Sequence, residues 1–208
     1  MDIVCISDTH GKHRDLVLPD GDLLIHAGDF SNRGDLAEVN SFLTWFGAQP
    51  HPHKVLIAGN HDFIAERDPG LFKSMIPENV VYLQDSGAEV AGIRFWGSPV
   101  TPWFYDWAFN RYEDEIVWHW DMIPQDTQIL VTHGPPLGTG DMNFQGTPVG
   151  CKSLGECVDE LPELRYHIFG HIHEAYGQYE RSGKSLVNAS QVDLKYQLAQ
   201  APIVIRWE

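Results

Sequence analysis

The 208-residue chain reads as a mixed α/β domain in which two sheets pack together with helices outside. Three observations lead there. Short apolar runs alternate with Gly-rich polar turns; a clear amphipathic helical pattern separates the early runs; and the second half is richer in strand-like runs. No repeat, low-complexity segment or linker breaks the pattern, so residues 1–208 are expected to form one domain.

The elements follow in order. Residues 3–6, 23–26, 55–58, 129–132 and 166–169 are apolar runs too short for independent helices, and each is expected as a buried strand. Between the second and third, Leu36, Val39, Phe42, Leu43 and Phe46 recur at helical spacing. Asp35 stands at the end of that helix where negative charge is favoured. A second helix is expected over 65–75, interrupted or started by Pro69. Residues 80–83, 89–90 and 93–97 read as strands of a meander that turns at Ala91-Gly92. Helical patterns return over 112–120 and 153–161, and strand patterns over 185–187 and 203–207.

Composition narrows the function. Acidic residues number 29 against 14 basic, a formal net charge of −15, which argues against coating nucleic acid or an anionic membrane. A small anionic substrate stays open, because a bound cation reverses the local field. Cys5, Cys151 and Cys157 are too few and scattered for a disulfide framework. The first residues read directly into a strand, without a basic and apolar leader, and no apolar run approaches the ~18 residues of a membrane span. The expected setting is soluble and cytoplasmic.

Eleven histidines is a high count for this length, and their placement carries the information. Five expected strands each deliver polar side chains just past their carboxyl ends: Asp8 and His10; Asp29; Asn60, His61 and Asp62; His133; His171 and His173. In α/β sheets that edge is where ligands bind. Asp8-x-His10 and His171-x-His173 would point apart on a helix, but in extended chain both members share one side. The set Asp8, His10, Asp29, Asn60, His133, His171 and His173 offers oxygen and imidazole and no thiolate. It exceeds one tetrahedral site and, with one bridging carboxylate, suits two ions about 3.5–4 Å apart.

These motifs, in order and approximate spacing, resemble the calcineurin-like metallophosphoesterases, and the similarity covers almost the whole chain. It is nearest to the metallophosphoesterase-domain-containing, or 239AB-like, subgroup. Supporting stretches are Gly97-Ser98-Pro99, Thr132-His133-Gly134-Pro135-Pro136 and Asn188-Ala189-Ser190. The resemblance implies a four-layer αββα sandwich. It also implies that Asp8, His10, Asp29 and His173 hold one metal and that Asp29, Asn60, His133 and His171 hold the other. Some members of the subgroup carry Gly where His171 stands; this chain keeps the His.

The expected activity is hydrolysis of a small phosphoester by water that two cations acidify, with His61 serving the leaving oxygen and Asp62 holding the His61 tautomer. Histidine-rich ligation favours Mn, Fe, Zn, Co or Ni over Mg or Ca without choosing among them, and Mn is the ion expected first. The subgroup resemblance implies a phosphodiester, cyclic nucleotides included; one negative charge needs no cluster of arginines, and only Arg33, Arg67 and Arg111 stand near in sequence. A phosphomonoesterase and a non-enzymatic interaction module on the same fold are the rival readings.

Other features carry less. The aromatics from Trp96 to Trp120 read either as core and oligomer contact or as a rim that stacks a nucleobase or aryl group. The Gly-rich stretch 135–150 is either a border of the site or plain surface loop. His26 and the remaining histidines at 13, 51, 53, 119 and 167 are expected to be structural, Cys5 a buried inert thiol, and the sequon at Asn188 incidental.

Overall fold

In the computed structural model, which describes residues 1–208, the first part of the chain comprises β1 (Asp2–Ile6), β2 (Leu23–Ala27), α1 (Leu36–Gly47), β3 (His53–Ile57), α2 (Phe63–Arg67), α3 (Pro69–Met75) and β4 (Val81–Tyr82). It continues through β5 (Ser86–Val90), β6 (Ile93–Ser98), β7 (Thr101–Pro102), β8 (Asn110–Arg111), α4 (Glu113–Asp121), β9 (Ile129–Thr132) and α5 (Lys152–Glu160). It ends with β10 (Tyr166–Phe169), β11 (Gly177–Arg181), β12 (Lys184–Asn188) and β13 (Ile203–Arg206).

The fully apolar runs pair in parallel, as strands buried on both faces do. One sheet has the order β13-β1-β2-β3-β4 and the other β11-β12-β10-β9-β6-β5, with β7 and β8 as a separate short pair. Alternation along each strand then sorts the apolar residues into layers. Ile3, Ile25, Val55, Val131 and Ile168 meet between the sheets. Val4, Leu24 and Leu56 point outward to α1 and α3, where Phe30 and Phe42 stack at 4.5 Å. Leu130 points the other way, onto Ile116 and Trp120 of α4 and Val158 of α5. The result is the αββα sandwich.

Several expectations are corrected in detail. In α1, Val39, Phe42, Leu43 and Phe46 are buried, but Leu36 is 52% exposed and belongs to the solvent side. Asp35 occupies the cap position without a capping bond; Glu38 instead accepts from the Asn32 and Arg33 amides. The helix expected over 65–75 is two helices. Asp68 caps the second by accepting from the Leu71 amide at 3.0 Å, and Pro69 fills its first turn. The expected meander is divided between sheets. β5 and β6 form a hairpin through Ala91 and Gly92, both at positive φ, but β4 pairs in parallel with β3 in the opposite sheet. The Leu83 amide on Leu56 O holds that edge, and Asp85, at φ 45°, then takes the chain across. The strands β7, β8 and β11 carry no apolar run and were not expected.

The consequence for function is positional. Strands β1, β2 and β3 of one sheet and β9, β10 and β12 of the other end at one seam, which a bridge between Ser7 and Ser190 closes. No helix is long and apolar enough to cross a membrane.

The layer between β-sheet and α1 depends on the Phe42 ring. Phe42→Ala is expected to lower stability by about 3–5 kcal/mol in urea denaturation, whereas Leu36→Ala stays within about 0.5 kcal/mol.

Candidate metal centre

Beyond β1 the chain stays paired to the segment after β2: the Asp8 amide donates to Gly28 O at 2.9 Å and the His10 amide to Asp29 O at 3.1 Å. Within that track Asp8, His10 and Asp29 adopt φ of 51°, 40° and 55°, and His171 beyond β10 adopts 69°. Four non-glycine residues in the left-handed region, gathered at one seam, mark a place where side-chain aim outweighs backbone comfort. Close approach demands glycine beside them. A Cβ on Gly170 would run into the Asp8 carboxylate and Ser7 Oγ, and one on Gly59 into the Asp29 carboxylate.

The carboxylates anchor the cluster. Asp8 Oδ2 accepts from the His171 amide at 3.0 Å and from Ser190 Oγ at 2.9 Å, while its Oδ1 lies 3.4 Å from His173 Nε2. Asp29 Oδ1 accepts from the His61 amide at 2.7 Å. Its Oδ2 lies 3.2 Å from His133 Nε2, 3.8 Å from His10 Nε2 and 4.0 Å from His61 Nε2. Asn60 Oδ1 lies 2.9 Å from His133 Nε2. Asp8, His10 and His173 bring ligand atoms within 4.8 Å of one another, as do Asp29, His133 and His171, and as do His10, Asp29 and His61.

Backbone carbonyls fix the tautomers. Nδ1 of His133 donates to Ala27 O at 2.9 Å, that of His173 to Asp193 O at 3.2 Å, and that of His61 to Asn32 O at 2.8 Å. Each of these rings therefore turns Nε2 inward, the second-sphere arrangement typical of metal-ligating histidines. His10 is the sharper sign: 2% exposed, with neither ring nitrogen hydrogen-bonded to the protein. Burial pushes its pKa down to about 4 and that of His171 to about 3, so both rings are neutral and have lone pairs to give. Burial opposes charge on Asp29 too, yet His133 and His61 hold its carboxyl well below the ordinary range. Burial likewise works against a charged His133, but the Asp29 carboxylate raises it to about 9. Buried His and Asp donors without thiolate fit a pair of divalent ions, with Asp29 common to two of the three groups.

Asp62 is corrected. It does not touch the His61 ring, whose tautomer Asn32 O sets. Its carboxylate instead accepts from the amides of Asp29, Gly59 and Ser31 at 2.8–3.0 Å and from Ser31 Oγ at 2.6 Å. Burial, with Asp29 nearby, raises its pKa to about 7. It is a knot beneath the loops that present Asp29 and Asn60. His26 is a satisfied core residue, accepting from the Gly28 amide and bonding Thr9 Oγ1. Asn188, of the sequon, is buried and donates to Gly140 O and Ile172 O.

Above the cluster opens a cavity of about 650 Å³ with Asp29, Asn60, His61 and His171 at its foot. Trp103, Phe104 and Trp107 form one wall, and Asn143, Leu194 and Tyr196 stand at the other side. The aromatic segment is thus divided: these three line the cavity, while Trp96, Phe109 and Trp120 are core. The 135–150 stretch borders the cavity through Asn143 and Val149. No Lys or Arg lines it; Arg111 is paired with Glu66 at 2.9 Å and Arg67 sits over the Phe63 ring. Sequence reasoning missed Tyr196, whose ring meets His10 edge-on at 4.7 Å and whose φ is 57°, and it passed over the role of Ser190. Tyr196 carries no local signal, whereas Ser190 lies in a stretch that supported the family resemblance without disclosing its bond to Asp8.

Comparison with known proteins identifies the family. The profile of the calcineurin-like phosphoesterase family matches residues 1–175. Metallophosphoesterase domain-containing protein 1 of Homo sapiens is 40% identical over 227 residues, covering 97% of this chain and 69% of the relative, and the Mus musculus protein gives the same figures. A UPF0046 protein of Caenorhabditis elegans is 37% identical, covering 97% of this chain and 79% of its own. A solved protein of unknown function from Aquifex aeolicus aligns at TM-score 0.43 and 19% identity, over 98% of this chain and 95% of that one. The chain belongs to the calcineurin-like phosphoesterase family, and its buried His/Asp groups fit the dimetal site typical of that family.

The neighbours His61 and Asp62 are expected to behave oppositely. Asp62→Ala strands buried amide donors and lowers stability by about 3 kcal/mol or more in urea, while His61→Ala changes it by less than about 1 kcal/mol.

Proposed function

We propose that this phosphoesterase hydrolyses small phosphodiesters, cyclic nucleotides among them, and that manganese is its working metal. In this reading Asp8, His10, Asp29 and His173 hold one ion and Asp29, Asn60, His133 and His171 the other, with Asp29 between. When bound, two such cations supply Lewis acidity toward phosphoryl oxygens and make a nucleophile of water at neutral pH.

The observation that carries the diester preference is the cavity's chemistry. Its wall is aromatic and it offers the substrate no Lys or Arg. A diester brings one negative charge, which the metal cluster at the foot can meet unaided; a monoester dianion calls for further cationic groups. The indoles of Trp103 and Trp107 and the Phe104 ring give a nucleobase or aryl group flat apolar surface. Asn60 and His61 follow one another after β3, so the residue beside a ligand is also the one with a proton to give. His61 Nδ1–H is committed to Asn32 O, so the proton to give is the one the ring carries on Nε2 as an imidazolium; passing it to the leaving oxygen returns the ring to its neutral Nδ1–H form. Glu174, which also lines the cavity, accepts from the Phe144 amide and so ties the 135–150 loop to the segment beyond β10.

Protein stripped of metal and resupplied with Mn is expected to hydrolyse an aryl phosphodiester faster than the matching monoester. Asp29→Ala should lose turnover and bind less metal. His61→Ala should lower kcat by about 10²–10⁴ and keep its metal. Monoester preference would make the protein a phosphomonoesterase, and loss of metal in His61→Ala would remove His61 from the proton-donor role.

A further inference from the structure

The cavity's aromatic wall touches the proton donor at its foot. The Trp107 indole lies against the His61 imidazole, with ring centroids 4.3 Å apart and planes 30° from parallel. Trp107 also leans on Phe63 at 5.7 Å, and the Arg67 guanidinium sits 4.4 Å from the centre of that ring. The His61 ring meets the edge of His10 at 4.7 Å. The backbone next to the two rings is tied as well: the Ala108 amide donates to Asn60 O at 3.2 Å, joining the residues adjacent to Trp107 and His61, and the Trp107 amide donates to Tyr105 O at 2.9 Å within its own turn. The two segments that carry the stacked rings are therefore joined through their neighbours as well as through the rings.

His61 has one side-chain hydrogen bond of good length, from Nδ1 to Asn32 O at 2.8 Å. A single bond at one ring atom leaves the ring plane free to swing, which would carry Nε2 away from any group above Asp29. A flat contact with a large, anchored indole removes that freedom. We infer that Trp107 is a positioning residue, whose stacking holds the His61 imidazole with Nε2 aimed at the leaving oxygen. The inference rests on His61 being the proton donor proposed above. The competing role, a surface that only grips the substrate's aryl group, makes different predictions.

The test uses manganese-loaded protein and two methyl aryl phosphodiesters, one losing 4-nitrophenolate and the other unsubstituted phenolate. Misplacing a proton donor hurts most where the leaving oxygen most needs the proton. Trp107→Ala is expected to lower kcat about tenfold on the nitrophenyl ester and about 100-fold on the phenyl ester. KM should move less than about twofold, and Trp107→Phe should restore most of the loss. Trp118→Ala, at an indole 73% exposed on α4, should change nothing. A readout independent of turnover comes from NMR of the zinc-loaded protein. The His61 ring protons are expected upfield, shielded by the indole, and Trp107→Ala should release them.

Equal losses on the two esters, a rise in KM with kcat intact, or unshielded His61 ring protons in the unmodified protein would overturn the inference. His61→Ala separates the two levels. If it discriminates between the leaving groups and Trp107→Ala does not, the positioning role alone falls. If His61→Ala shows no such discrimination, the proton-donor reading falls and takes this one with it.

Discussion

Two carboxylates withdrawn from water, Asp8 and Asp29, set the terms for the rest of this molecule. A buried carboxylate persists as an ion only where fixed donors and positive charge surround it. Asp8 takes its donors from His171 and Ser190, beyond β10 and β12, and its neighbouring imidazole from His173. Asp29 takes an amide from His61, beyond β3, and an imidazole from His133, beyond β9. The donors come from both sheets, so satisfying the carboxylates requires the two sheets to meet at their carboxyl ends. The His133 Nδ1 bond to Ala27 O and the Ser7–Ser190 bridge cross the same seam. Metal binding and sheet packing thus share one set of contacts.

That arrangement is strained, and the strain is distributed in an intelligible way. Left-handed backbone at a residue with a Cβ costs roughly 1–2 kcal/mol, and Asp8, His10, Asp29 and His171 each adopt it. It persists where surrounding contacts over-determine the conformation. Asp62 provides one such frame, gathering the amides of Asp29, Gly59 and Ser31 on a single carboxylate. The parallel track from Gly28 and Asp29 to Asp8 and His10 provides another. Glycine at 59 and 170 then supplies the only side chain small enough to let the carboxylates approach.

What the sequence disclosed and what it withheld divide along a physical line. A strand that runs apolar and then stops at Asp, His or Asn states where it is buried and which edge it feeds, so the five strand ends and the layers were legible. Partnership across long separations has no such local mark. Asp62 follows His61, and adjacency suggested that it steers that ring; its partners lie 31–33 residues earlier, apart from Gly59, and the ring bonds Asn32 instead. The short strand β4 reads like part of the following hairpin because its apolar residues look the same. Only the left-handed turn at Asp85 and the Leu83 bond to Leu56 reveal the other sheet. The aromatics between Trp96 and Trp120 could not be sorted by period, since β7 and β8 hold two residues each and the chain between them is irregular.

The cavity is built from two kinds of material. Its foot consists of strand ends that cannot move without disturbing a buried carboxylate, whereas its walls come from the irregular segments around Trp103 to Trp107, Asn143 to Val149 and Leu194 to Tyr196. Loops of that kind tolerate changes in sequence that strand ends do not. Shape and polarity of the wall can therefore vary while the chemistry beneath stays fixed, with one exception. His61 belongs to both: its amide is bound to Asp29, its Nδ1 to Asn32, and its ring to Trp107. The Ala108–Asn60 bond makes that junction part of the backbone as well. A wall segment that moved would displace the side chain proposed as the proton donor, so on that proposal this stretch of wall is constrained by the reaction as well as by the substrate.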